Sequence, residues 1–551
     1  MFRAGRGNGG MSGGGEQEEL GRNLIQRVNL ADSLRRCAAL YPDKVALTDA
    51  RGEVTYRELH EDVNRVARGL LAAGIRRGGF VGLLFRNCID YFRVYFGCAR
   101  IGAVALPLNP TLTLAELSHI ASEAGPVILV AQGDYSEVAG ELCQRVPSLG
   151  QLVLAARADG EEPALPVGSS YTSGRLTDLR TGDGSDVEAY VEDRDALQCI
   201  YTSGTTAKPK GVITSHVAAA FTALSVAHHV RITEADVGLV VLPVHHVGGL
   251  NDTTIPHIVA GARVVLLDGW DAVKAAEALE EHSVTDTALT APMWIELINL
   301  NSDNRYDWTA MKTALFSIAS LPPERSARLR ELCPSAAVLL CSGQTEFTGF
   351  EECQRPGHQF AKPLAWGDPT LMTDVGIMDD RGNLLPPHEI GEIVYRGPQA
   401  MTEYFGHAEL TAESFKFGWF HSGDFGYLDD NHTVFFVDRK KDMIKTGGEN
   451  VASVDVAHVI LAIDGVADCA VVGLPHERWT EAVTAFVQVS PGASIAPEEV
   501  ISFCKERMAG YKVPKKVLIV QDFPRTASGK IQKVKLREQF GDLYTTEGVQ
   551  A

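Results

Sequence analysis

The feature that most restricts the fold is a long alternation of short apolar runs with amphipathic segments. Lys44-Val-Ala-Leu-Thr, Phe80-Val-Gly-Leu-Leu-Phe, Val127-Ile-Leu-Val, Gln151-Leu-Val-Leu, Arg263-Val-Val-Leu-Leu and Ala337-Val-Leu-Leu each have the length and apolarity of a buried strand. Between them, Asn29-Leu-Ala-Asp-Ser-Leu-Arg-Arg-Cys-Ala-Ala-Leu spaces its apolar residues three and four apart, as one buried helix face requires. Thr55 followed by Glu58 predicts a capping box at another helix start. Such alternation over hundreds of residues predicts an α/β fold of stacked, mostly parallel sheets with helices on their faces. No internal repeat of about 20–50 residues interrupts it. The stretch from Glu161 to Asp186 is rich in Gly, Ser, Pro and Asp and reads as a surface insertion.

Charge excludes one class of function. The chain has 51 Lys and Arg against 70 Asp and Glu, a formal net charge of −19, which opposes broad binding of nucleic acid. With 45% hydrophobic and 22% charged residues in 551, it belongs among multi-domain globular proteins. No apolar run approaches the roughly 20 residues of a membrane-spanning helix. The opening MFRAGRGNGGMSGGGEQEEL has no apolar h-region, so no secretory signal is expected, and residues 1–27 read as a disordered extension. The ten cysteines are scattered with no C-x-x-C pair, which predicts reduced core thiols in a cytoplasmic protein.

A second boundary lies near 437–442. The charged run Asp438-Arg-Lys-Lys-Asp442 would ordinarily be a solvated turn. Here it separates two differently patterned regions, which makes it a candidate hinge. Beyond it, Ala467-Asp-Cys-Ala-Val-Val-Gly, Ala482-Val-Thr-Ala-Phe-Val-Gln-Val and Lys516-Val-Leu-Ile-Val read as strands, and Pro497 to Met508 as a helix.

The strongest chemical signal is Tyr201-Thr-Ser-Gly-Thr-Thr-Ala-Lys-Pro-Lys-Gly211, which follows the apolar run Leu197-Gln-Cys-Ile. Hydroxyls at Thr202, Ser203, Thr205 and Thr206 surround Gly204, with Lys208 and Lys210 beside them. Backbone N–H groups and hydroxyls in a turn-rich segment can cradle phosphate. The G-x-x-x-x-G-K-[ST] order of a P-loop is absent.

This loop closely resembles the phosphate loop of the adenylate-forming superfamily, which includes acyl- and aryl-CoA synthetases. The resemblance continues in order through Gln344-Thr-Glu346, Gly391-Glu-Ile-Val-Tyr-Arg-Gly-Pro398, Gly418-Trp-Phe-His-Ser-Gly-Asp424, Asp438 to Asn450 and Pro524-Arg-Thr-Ala-Ser-Gly-Lys530, from about residue 29 to 540. It implies a large N-terminal adenylation domain over 28–439, a small mobile α+β C-terminal domain over 440–541, and a tail at 542–551. It also implies an enzyme that activates a carboxylic acid with ATP as acyl-AMP, releases pyrophosphate, and passes the acyl group to the thiol of coenzyme A.

By the same resemblance Lys530 stands against the carboxylate and α-phosphate oxygens, and Glu346 is the Mg²⁺-associated carboxylate. Gln344 and Thr345 lie beside the nucleotide, with Thr345 near the α-phosphate. Thr202, Ser203, Gly204, Thr205, Thr206 and Lys210 go with pyrophosphate, while Asp424 and Arg439 go with ribose and phosphate. His246 divides acyl pocket from nucleotide, the pocket continuing through Met293, Trp294, Ser317, Ile318, Ala319, Ser342 and Gly343. The apolar members suggest an aryl, cyclic or medium-length acid. Lys441 matches the hinge, and Gly447 and Gly448 match a tunnel for a pantetheine arm. The sequence departs from the family at Ala207, where Gly is usual, at Ser317-Ile318-Ala319 in place of Gly-Gly-Ala, and at Ser342, where an aromatic ring normally packs on adenine. An amide-forming ligase with an amine acceptor is the alternative within the superfamily. A non-catalytic binding protein is the alternative outside it, although such a protein would be expected to have lost Lys530, Glu346 or Asp424. A homodimer is left open.

Overall fold

A computed structural model of the protein describes residues 13–202, 209–317, 321–362, 364–490, 492–525 and 531–544. The apolar runs become strands of two large sheets. Among the described residues, one sheet has eight strands and is parallel from Ala196–Thr202 through Val104–Leu108, Phe80–Leu84, Ile128–Gln132 and Gln151–Ala155 to Thr172–Arg175. The other has thirteen strands. Its half running from Val45–Asp49 to Ala337–Ser342 is parallel, as the alternation implies. From Glu352–Cys353 onward it becomes antiparallel, because Glu352 to Arg439 contains hairpins rather than crossover helices.

Helices fill the space between the sheets. Every residue of the helix Ile89–Arg100 except Arg93 is buried. Its Tyr91, Phe92, Tyr95 and Phe96 pack in one cluster with Leu47 and Val264 of the larger sheet and Val81 and Ile128 of the smaller. A fully buried aromatic or aliphatic side chain of this size contributes about 1.5–3 kcal/mol relative to exposure. The helix Tyr56–Ala72 starts at the expected capping box, with Thr55 N donating to Glu58 Oε2 at 2.8 Å and Glu58 N to Thr55 Oγ1 at 3.2 Å.

Two sequence expectations change. The segment read as a disordered extension carries the helix Gly13–Gln26. It is tied down through Asn23, whose side chain donates to Val191 O at 2.7 Å and accepts from Val191 N at 3.2 Å. That partner lies 168 residues away and leaves no trace in the local composition. The insertion from Glu161 to Asp186 supplies the edge strand Thr172–Arg175 and a helical turn that buries Leu176 and Leu179. All ten cysteines are free, and all but Cys341 are buried. No helix among the described residues is long and apolar enough to cross a membrane.

A third, five-stranded sheet begins after Arg439. Residues 440–443 connect Val434–Arg439 of the thirteen-stranded sheet to Ile444–Thr446 of the small one. The charged run there is only partly solvated. Asp438 is buried and accepts from Arg439 N at 2.8 Å and from Ser453 N, and Asp442 is buried against Arg537 at 2.6 Å.

One buried ion pair ties helix to sheet in the large domain. His257 Nδ1 donates to Thr253 O at 2.6 Å, and Nε2 lies 2.8 Å from Asp286 Oδ1. Burial by itself would lower the imidazole pKa, but Asp286 and the Thr253 carbonyl together raise it. A raised folded-state value means the pair stabilises fully below the unfolded pKa of about 6.5 and loses that contribution as pH climbs through the folded value. His257→Gln should destabilise by about 3–5 kcal/mol at pH 6. The gap between the urea midpoints of the two proteins should narrow as pH rises above about 6.5; parallel pH profiles would show that the imidazole is uncharged.

Candidate active site

The Ser/Thr-rich segment lies in sequence between two paired strands. The strand Ala196–Thr202 pairs antiparallel with Lys210–Ser215, and Thr202 stands opposite Lys210. Ser203, Gly204, Thr205 and Thr206, with Ala207 and Lys208, lie outside the described residues. At the base of the hairpin, Lys210 Nζ lies 5.4 Å from the centre of the Tyr404 ring. Tyr404 pairs with Val212 across an edge strand, and its phenol donates to Glu346 Oε1 at 2.8 Å. Burial, then the Glu346 charge, raises the phenol pKa, so Tyr404 remains a donor across the physiological range. One aromatic side chain thus holds the loop's lysine and the proposed metal carboxylate on either side of itself.

Glu346 follows directly from the end of a parallel strand. Ala337–Ser342 stops, the chain turns at Gly343, and Gln344-Thr345-Glu346 enters a short 3-10 turn. A Cβ at Gly343 would lie 1.5 Å from Gly349 O, so only glycine allows the two backbones to approach this closely. The Gln344 N–H donates to both Glu351 oxygens, at 2.9 and 3.1 Å, and Met401 N donates to Glu346 O at 2.8 Å. Thr345 is buried. Glu351 and Glu352 are both buried, and desolvation pushes their carboxyls well up.

Two further groups hold other expected site residues. Asp424 on Phe420–Leu428 faces Arg439 on Val434–Arg439, with Arg439 Nε 3.5 Å from Asp424 Oδ1. His246 caps a short helical turn, its Nδ1 accepting from Gly248 N at 3.3 Å, and a π-helical segment Leu250–Thr254 follows. Thr290, Ser317 and Ser342 end neighbouring parallel strands, with Thr290 registered opposite Ser317. The crevice outside the carboxyl ends of such strands is where open α/β sheets bind ligands. Met293 is half-buried near this edge. Trp294, expected in the pocket wall, is fully buried in the core with its indole N–H donating to Leu315 O at 2.7 Å. Ile318 and Ala319 lie outside the described residues.

The small domain carries the remaining assignments. Gly447 and Gly448 form the two-residue turn between Ile444–Thr446 and Glu449–Val451, with φ of 62° and 89°. Positive φ at both positions is what a type I′ hairpin turn demands, so the turn alone accounts for both glycines. Lys441 sits exposed in the connection between the sheets, two residues beyond Arg439. Lys530 lies outside the described residues. Tyr404 and Glu351 were not legible beforehand. Tyr404 belongs to no motif, and Glu351 acts through a backbone N–H that no spacing reveals.

The donor set suits a hard cation. Among the described residues no group of three or more His, Cys, Asp or Glu could hold a metal by itself. Magnesium that keeps its waters and takes phosphate oxygens needs only one or two carboxylates, and Glu346 supplies one. The backbone contact at Gly343 should be intolerant of change. Gly343→Ala should lower the melting temperature by at least about 2–4 °C, the shift expected for roughly 1 kcal/mol of overpacking in a large domain. An unchanged calorimetric melt would mean the turn can move aside.

The AMP-binding enzyme profile matches residues 34–405, and the AMP-binding enzyme C-terminal domain profile matches 455–530. Feruloyl-CoA synthase from Amycolatopsis sp. is 32% identical over 510 residues, covering 92% of this chain and 98% of the relative. 2-Succinylbenzoate–CoA ligase from Bacillus cereus is 30% identical over 512 residues, covering 92% and 97%. Among solved structures, ATP-bound MatB from Rhodopseudomonas palustris matches with a TM-score of 0.84 at 28% identity, covering 94% of this chain and 100% of that one. The two profiles follow one another along most of the sequence: the chain belongs to the AMP-binding enzyme family.

Proposed function

We propose that this protein is an ATP-dependent acid–thiol ligase that converts an organic acid to acyl-AMP and then to its coenzyme A thioester. The observation that carries this reading is the convergence of Lys210, Tyr404 and Glu346 at the base of the Ser/Thr-rich hairpin. A carboxylate is a poor acyl donor because its leaving group would be an oxide. Attack of its oxygen on the α-phosphorus of ATP breaks the bond to pyrophosphate and leaves an acyl group whose leaving group is AMP. A thiolate then attacks the acyl carbonyl, the thioester forms, and AMP departs with the electron pair.

The first step brings two anions together, so its demand is electrostatic. Lys210 faces the pyrophosphate side, Asp424 accepts from the ribose hydroxyls, and Arg439 lies against Asp424 and holds it in place. Lys530, assigned by resemblance, neutralises the meeting oxygens. Glu346, held by Tyr404, would carry magnesium, which when bound neutralises charge on phosphate oxygens. His246 at the head of its helical turn screens the acyl side from the nucleotide. Relatives named for coenzyme A and for an acyl carrier protein, such as the fatty acid–[acyl-carrier-protein] ligase ScoC of Streptomyces coeruleorubidus, favour a thiol acceptor over an amine.

Acid-dependent exchange of pyrophosphate into ATP tests the first step across a library of carboxylic acids. Lys530→Ala should suppress it by at least about 10², the loss typical of one preorganised charge donor; normal exchange would remove Lys530 from adenylation. The second step is tested by adding coenzyme A or a panel of amines separately. Gly447→Asn preserves the turn, since Asn tolerates positive φ and a Cβ there meets only Trp479 Cδ1 at 3.7 Å. It should slow thioester formation about tenfold, from roughly 1–2 kcal/mol of crowding against the thiol arm, and leave exchange intact. Equal loss in both steps would refute the tunnel.

A further inference from the structure

The family's adenine-packing ring is missing at Ser342, and a hydroxyl offers no π face in its place. A different aromatic pair stands beside the nucleotide residues. Trp366 and Phe436 stack with centroids 4.3 Å apart and planes only 5° from parallel. Phe436 lies on the same strand as Arg439 and pairs with Gly426, two residues from Asp424 on the facing strand. The register shifts by one residue between this pair and that of Asp424 with Arg439, and Phe436 stands within three residues of Arg439 on its strand.

Trp366 joins the two halves of the site. It packs on the cluster containing Phe316 and Leu340, which lead into Ser317 and Ser342. It also packs on the cluster containing Phe347 and Val434, which adjoin Glu346 and the Arg439 strand. A core role alone would leave it enclosed, as Trp294 and Trp308 are, at 0% and 1% exposure. Trp366 and Phe436 are instead both only half-buried.

We propose that Trp366, backed by Phe436, is the surface on which the adenine of ATP stacks in this protein, in place of the ring absent at position 342. The proposal rests on the reading of the protein as ATP-using. It makes Trp366 a determinant of nucleotide affinity and assigns it no part in recognising the acid.

The test is equilibrium binding of ATP to the full chain by calorimetry, with KM for ATP and for the acid measured alongside in pyrophosphate exchange. Base–aromatic stacking is of a size that predicts about a tenfold rise in Kd for ATP in Trp366→Ala, with KM for the acid unchanged. Trp366→Phe should stay near wild type, and Ser342→Tyr added to Trp366→Ala should recover part of the loss. Trp366→Leu fills the site without a π face and should bind ATP as poorly as the alanine variant, which keeps the question open to measurement if Trp366→Ala does not fold. Unchanged ATP affinity in a folded alanine or leucine variant would overturn the proposal, as would equal weakening for ATP and acid. Because calorimetry needs no turnover, wild-type protein that binds ATP but activates no acid would fail the ligase reading while leaving the role of Trp366 testable.

Discussion

The site depends on one close approach of backbone to backbone. Gly343 lies so near the Gly349 carbonyl that a single added carbon would sit 1.5 Å from the oxygen. This contact turns the chain sharply at the end of a parallel strand and sends Gln344, Thr345 and Glu346 across the crevice. Glu351 completes the turn by receiving the Gln344 N–H. Without that turn Glu346 could not reach the Tyr404 phenol, and the hairpin that carries Lys210 would face no carboxylate.

The same region concentrates acidic groups where water is scarce. Glu351 and Glu352 are buried side by side, and burial pushes both carboxyls upward. At Glu351 the neighbouring Glu352 adds to the effect of burial, so charge on both carboxyls at once is opposed. Asp424 instead faces Arg439, and Glu346 faces a phenol beside Lys210, so the acids presented to the nucleotide are those with donors at hand. Partners at the carboxyl, as much as distance, separate the supporting acids from the working ones.

The two domains meet at a connection that is partly anchored. Asp438 is tied to the backbone of Arg439 and Ser453, and Asp442 to Arg537, while Lys441 between them lies on the surface. The glycines after it close a hairpin turn that requires positive φ at both.

The sequence alone determined the α/β alternation, the loop rich in hydroxyls and the order of the motifs, because each is written in local periodicity or in adjacent residue types. Strands near 45, 80, 128, 151, 263 and 337 and the capping box at Thr55 were legible for that reason. Tertiary structure decided what local patterns do not encode. It ordered Gly13–Gln26 against Val191, buried Trp294 in the core, joined Lys210 to Glu346 through Tyr404, and set Trp366 against Phe436. In each case the partner is distant along the chain, and such a pairing exists only once the sheets have stacked and brought the two segments within a few ångströms.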